Sequence, residues 1–219
     1  ALMDHQNIAK ILDAGTTAEG HPYFVMELVE GEPLNVYCDN RKLDLNKRLE
    51  LMIPVCRAIQ HAHQKGIIHR DLKHSNVLVT EYDGVPVPKV IDFGLAKSQL
   101  HELTLTDKTL FTEIGKVVGT IQYMSPEQAE TSNVDVDTRS DIYSLGVMIY
   151  KLLLGVTPID DGDLAKMPLL EALSIIREKT PMKPSNKVKS VLEFDSDALI
   201  NRNCRADELT SKLTGDLDC

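Results

Sequence analysis

The chain has 219 residues, carries 24 Lys and Arg against 33 Asp and Glu, and has a formal charge of −9. That length is one domain, or one and a piece, and suffices to bury a core; 42% hydrophobic and 26% charged residues exclude a disordered tail, a collagen-like fibre and a disulfide-stapled miniprotein. The acidic balance excludes nucleic-acid backbone binding as the main task, which needs a basic surface.

Two apolar-rich segments, Asn7 to Asp13 and Pro22 to Leu28, flank a turn rich in Gly and Thr and predict a hairpin. Asp44 is a good N-cap for a helix whose apolar positions Leu45, Leu49, Met52, Ile53, Cys56, Ile59 and Ala62 recur at helical spacing. Lys47, Arg48 and Glu50 are placed on its wet side, Pro54 stands against its continuity, and Gly66 closes it. Strands are predicted over Asn76 to Thr80 and Pro88 to Ile91, around the hairpin signal Asp83-Gly84. Ser98 to Ile114 has no period and reads as a long functional loop.

A helix over Thr138 to Leu154 is apolar nearly all round, so it is expected to run through the core, with Thr138 and Asp141 as a capping pair and Gly155 and Pro158 closing it. Leu164 to Glu178 predicts an amphipathic helix, and beyond Pro181 only Asp207 to Leu213 shows a further one. The longest apolar run, Ile142 to Leu154, is interrupted by Tyr143, Ser144, Tyr150 and Lys151 and is too short for a membrane span. Cys38, Cys56, Cys204 and Cys219 form no C-x-x-C pair and read as reduced thiols of a cytoplasmic protein. Position 1 is not Met, and the chain reads as a fragment of something longer. A little strand followed mostly by helix suits an α+β chain, closer to the helical lobe of a two-lobed fold than to a wound parallel sheet.

Three blocks carry chemistry: His69-Arg70-Asp71-Leu72-Lys73-His74-Ser75-Asn76, then Asp92-Phe93-Gly94, then Gly119-Thr120-Ile121-Gln122-Tyr123-Met124-Ser125-Pro126-Glu127. In this order and spacing they resemble the Ser/Thr branch of the eukaryotic-like protein kinases, with the likeness covering Leu2 to Thr157. The resemblance implies a kinase-like α+β fold in which residues 1–28 are the remnant of the smaller lobe and its hinge, and residues 29–219 the helical lobe. It implies ATP and Mg²⁺ as cofactors and a protein as substrate. Phosphoryl transfer needs charge neutralisation and positioning more than covalent help. By the likeness Asp71 accepts the substrate hydroxyl's proton, Lys73 reaches the transferred phosphate, Asn76 and Asp92 hold Mg²⁺, and Gly94 permits the turn that delivers Asp92. His69 and Phe93 belong to the same blocks.

Thr120 is expected to bridge Asp71 and Lys73 and to seat the acceptor segment, and Asp141 resembles a buried aspartate that holds the catalytic-loop backbone. Tyr23 to Val29 resembles the strand and hinge of the nucleotide pocket, with Met26 at its back, backbone groups of Glu27 and Val29 on the adenine and Leu78 as floor. Thr104, Thr106, Thr109 and Thr112 are candidate phosphorylation sites that Arg70 could read. His61, His63, His69 and His74 are close in sequence, but His61 and His63 stand two apart and do not share a helix face, which argues against a zinc pair.

The departures from the family pattern matter as much. No Gly-rich loop, strand lysine or pairing helix glutamate occurs in the 219 residues, and the isolated chain is expected to be inactive or nearly so. Glu127 is expected to lack its arginine partner and to stand as a costly buried carboxylate. His74 occupies the family's usual proline position and is expected to loosen the loop slightly. A pseudokinase-like scaffold and a small-molecule phosphotransferase of related fold are the competing readings.

Overall fold

The computed structural model describes residues 3–93, 121–130, 137–159, 164, 167–194 and 197–218. Two strands, β1 (Ile11–Thr16) and β2 (Pro22–Met26), form an antiparallel hairpin. It starts four residues later than the apolar pattern predicts. Asn7 and Ile8 are instead drawn to the second sheet: Ile8 bridges Val90, and the Asn7 side-chain amide donates to the Pro88 carbonyl at 2.7 Å. That sheet has the order β3 (Glu32–Pro33), β4 (Val77–Tyr82), β5 (Val85–Val90), all antiparallel. β5 tolerates Pro86 and Pro88 because it lies at the sheet's edge, where missing N–H groups cost no ladder bond.

Helix α1 (Leu34–Asn40) is too short to show a period in sequence. α2 (Leu45–His63) starts as predicted, with the Asp44 carboxylate accepting the Lys47 N–H at 3.0 Å, and it continues through Pro54. One lost backbone bond is outweighed by the buried stripe of Leu45, Leu51, Met52, Val55, Ala58, Ile59 and Ala62. Arg48 is a correction: it is fully buried, not on the wet face. Its guanidinium pairs with Asp39 at 2.8 Å and donates to the carbonyls of Leu43, Cys38, Leu152 and Asn201, so every side of its donor fork is used.

α3 (Thr138–Leu154) is buried along most of its length and ends at Gly155, whose φ of 89° is the left-handed cap expected there. The expected Thr138–Asp141 capping pair does not form; Asp137 caps the helix by accepting the Arg139 N–H at 2.8 Å, and Asp141 turns elsewhere. α4 (Leu169–Glu178) starts after Pro168, later than the Leu164 predicted. α5 (Pro184–Phe194) and α6 (Asp197–Asn201) lie in the stretch where the pattern fades, and α7 (Ala206–Leu213) follows.

The main core joins α1, α2, α3 and the β4–β5 pair through Leu34, Met52, Ile59, Val77, Val90 and Met148. A second cluster seats α5 and α7 on the C-terminal end of α3. The α+β architecture is thus a helical body with two small sheets. The loop between α2 and β4 lies between the sheet and the N-terminus of α3, with His69 and Leu72 fully buried.

Candidate active site

The loop of residues 67–73 leaves α2 through Gly66, at φ 73°, and ends in a 3₁₀ turn, His74–Asn76, that runs into β4. Asp141, buried at 1% exposure in the first turn of α3, accepts the His69 N–H at 2.8 Å and the Arg70 N–H at 2.9 Å. The same carboxylate meets His63 Nε2 at 2.7 Å, a contact the sequence spacing did not reveal because it joins two helices. With this N–H held by Asp141, Arg70 adopts φ 64°, a left-handed conformation uncommon for a non-glycine residue.

Within the loop the Asp71 carboxylate accepts Lys73 Nζ at 3.0 Å. Asn76 donates its side-chain amide to the Asp71 carbonyl at 2.9 Å and lies 3.4 Å from the carboxylate. The Asn76 oxygen accepts the Ser75 hydroxyl at 3.5 Å, and the residue is buried. Asp71, Lys73 and Asn76 therefore form one hydrogen-bonded cluster.

Asp92 reaches the same region by backbone register. The Ile91 N–H donates to the Asn76 carbonyl at 2.9 Å, and the Ile91 carbonyl meets His69 Nε2 at 3.1 Å. Phe93, on the other side of Asp92, packs on the His69 ring with centroids 4.7 Å apart. Asp92 itself is exposed and held at φ 55°. Burial outweighs the nearby Asp141 carboxylate and lowers the pKa of His69, so its imidazole is neutral. Nε2–H then donates to Ile91, while Nδ1 accepts the Asp71 N–H at 3.3 Å.

The residues that the resemblance places at a hinge lie at and just after the end of β2. Glu27 N–H donates to the Lys10 carbonyl at 2.8 Å. Its carboxylate takes Lys89 Nζ and the Lys10 N–H, and the Lys89 bond is the largest cause of its lowered pKa. Leu78 pairs with Lys89 across β4–β5, so the two side chains share a sheet face and Lys89 carries that face to the hinge. Met26 pairs with Ile11 and is partly exposed; Val29 is half-buried beside it in sequence.

Residues 121–130 are fastened to the 67–73 loop and to α3. Gln128 donates to the Arg70 carbonyl at 3.2 Å, and Ser144 donates to the Tyr123 carbonyl at 2.8 Å. Glu127 is not the stranded carboxylate expected: it is half-buried and accepts the Ser140 hydroxyl at 2.6 Å. His74, at the position where the family usually has proline, is 3% exposed and its Nδ1 meets the Tyr123 hydroxyl at 3.0 Å. Gly94, Thr104, Thr106, Thr109, Thr112 and Thr120 lie outside the described residues.

A protein-family model described as a protein kinase domain matches residues 1–211. The chain belongs to the protein kinase family. It is 36% identical over 205 residues to the serine/threonine-protein kinase PknB of Mycobacterium leprae, an alignment covering 91% of this chain and 30% of that protein. It is 38% identical to the serine/threonine-protein kinase PknA of Mycobacterium tuberculosis, covering 91% of this chain and 44% of the relative. The chain thus spans less than half the length of these relatives. The solved PknI kinase domain of Mycobacterium tuberculosis superposes with a TM-score of 0.57 at 20% identity, covering 96% of this chain and 72% of that one, a likeness of fold.

Proposed function

We propose that the protein transfers the terminal phosphoryl group of ATP to serine or threonine hydroxyls of a protein substrate. The observation that carries this reading is the bonded cluster of Asp71, Lys73 and Asn76, with Asp92 brought beside it by the two bonds of Ile91. Asp71 orients the acceptor hydroxyl and takes its proton. Lys73, now paired with Asp71, is within reach of a phosphoryl group arriving there.

The Asn76 amide oxygen and the Asp92 carboxylate are hard donors that suit Mg²⁺, and among the described residues no group of three or more His, Cys, Asp or Glu could hold a metal. Such a two-residue site fits an ion that shares its remaining positions with phosphate oxygens and water. When bound, Mg²⁺ supplies neutralisation of the nucleotide's negative charge. The hinge carbonyl of Glu27, the N–H of Val29 and the side chains of Met26 and Leu78 receive the adenine. Within the 219 residues there is no G-x-G-x-x-G loop, so this chain by itself is expected to turn over slowly. Among the described residues no helix is long and apolar enough to cross a membrane, and a cytoplasmic place of action fits reduced thiols.

The test is radiolabel transfer from ATP by the full-length protein to protein, sugar and aminoglycoside acceptors. Label on serine and threonine of protein is expected, and Asp71→Asn is expected to lower kcat by about 10²- to 10⁴-fold with ATP affinity retained. Binding of ATP with no transfer to any acceptor indicates a scaffold; label on small acceptors alone indicates a small-molecule phosphotransferase.

A further inference from the structure

His74 stands at the first position of the 3₁₀ turn that ends in Asn76, two residues beyond Leu72 in the main core. A proline at this position would satisfy the turn equally well, since the first residue of a helical turn needs no N–H. What the imidazole adds is reach. Nδ1 lies 3.0 Å from the Tyr123 hydroxyl, and the two rings meet edge to face with centroids 5.9 Å apart. Both side chains are buried, at 3% and 7% exposure, so water does not substitute for the bond.

Tyr123 belongs to the segment that the family resemblance assigns to seating the acceptor peptide. Its carbonyl is fixed by Ser144, and five residues further on Gln128 is bonded to the Arg70 carbonyl. Among the described residues the segment touches the catalytic loop at Arg70, just before Asp71, and at His74, two residues before Asn76.

We infer that His74 is a positioning residue: its bond to Tyr123 sets where the peptide-seating segment lies relative to Asp71, a link the family's usual proline cannot make. The inference rests on the proposed kinase reading and names a determinant of peptide binding within it. Groups facing the imidazole, besides Tyr123, are the Lys151 ammonium and the Met148 carbonyl from α3 and the Arg48 guanidinium from α2. The Tyr123 hydroxyl supplies the hydrogen of this bond and Nδ1 accepts it.

The experiment is a double-mutant cycle in the full-length protein with His74→Pro, Tyr123→Phe and the pair, and His74→Asn as the variant that keeps an acceptor near the Nδ1 position. Urea midpoints report the bond itself, and steady-state kinetics with a serine peptide report its use. Each single variant is expected to raise the peptide KM about three- to tenfold with the ATP KM unchanged. The double variant is expected to be no worse than either single one, and His74→Asn to recover most of the loss. Multiplying effects on unfolding show that no bond exists and overturn the inference. Coupled unfolding with an unchanged peptide KM shows a bond with no role in peptide placement and overturns it equally. If the wild type transfers no phosphate, the kinase reading fails on its own, and peptide Kd replaces KM in the same cycle.

Discussion

At the scale of single residues, the site depends on buried polar groups and the partners they meet. Asp141 is the clearest: one carboxylate holds two consecutive backbone N–H groups and an imidazole. Asp141→Asn keeps the shape but turns one acceptor into a donor, facing an N–H it cannot bond. We expect a loss of about 1–3 kcal/mol in urea unfolding, with a fall in kcat larger than the change in ATP affinity. His74 gives a pH signature. Its pKa is lowered to about 3 by burial, against 6.5 when the chain is unfolded. Above pH 6.5 the ring is neutral in both states and the fold bears no penalty. Below it the unfolded chain takes up a proton that the folded one refuses, so stability falls as the pH drops from 6.5 toward 3, by about 1.4 kcal/mol per unit. Chemical denaturation at pH 7 and pH 5 is expected to show the wild type losing about 2 kcal/mol more than His74→Asn over that interval.

At the scale of elements, the helices were legible where a stripe or a cap repeats and illegible where burial is polar. The α2 stripe, the Asp44 cap and the Gly155 stop are written in residue types that do one job. Arg48 reads as a solvent residue by type, and only its position between α1, α3 and α6 makes it a buried staple. It bonds carbonyls contributed by residues 38, 43, 152 and 201, which no local spacing can announce. α5 was hidden because Lys187, Lys189 and Ser190 dilute its apolar pattern, and its buried Val188 and Val191 follow from packing on α7 and α3. Arg48→Met is expected to destabilise by about 3–5 kcal/mol in urea, because Asp39 and several carbonyls lose their donor together.

The site was legible in a different way. Its residue types announced themselves as a motif, yet the contacts that hold them did not: Gln128 and Ser140 carry no signal of their own, and nothing in the sequence pairs His63 with Asp141 or Tyr123 with His74. They become visible only when α2, α3 and residues 121–130 are brought together.

At the scale of the molecule, the two sheets differ in how they are held. β4 and β5 line the main core through Val77, Val79 and Val90. The β1–β2 hairpin leaves Ile11, Leu12, Tyr23, Phe24, Val25 and Met26 partly or largely exposed, and Glu27, just past β2, pairs with Lys89 of β5. A two-stranded sheet without a buried face is marginal in water. Hydrogen exchange on the 219-residue chain is expected to show amides of Ile11–Thr16 and Pro22–Met26 exchanging near the rate of local opening, while those of Val77–Tyr82 approach the protection of global unfolding. Equal protection in both sheets would contradict this division.

The backbone at Arg70 and Asp92 carries one more implication. Glycine would adopt those left-handed angles at no steric cost, whereas a side chain there forgoes about 1 kcal/mol at each position. Durability and output therefore pull these two codons in opposite directions. A laboratory screen for heat tolerance that ignored turnover would drift toward Arg70→Gly and Asp92→Gly and collect sturdy, inert winners.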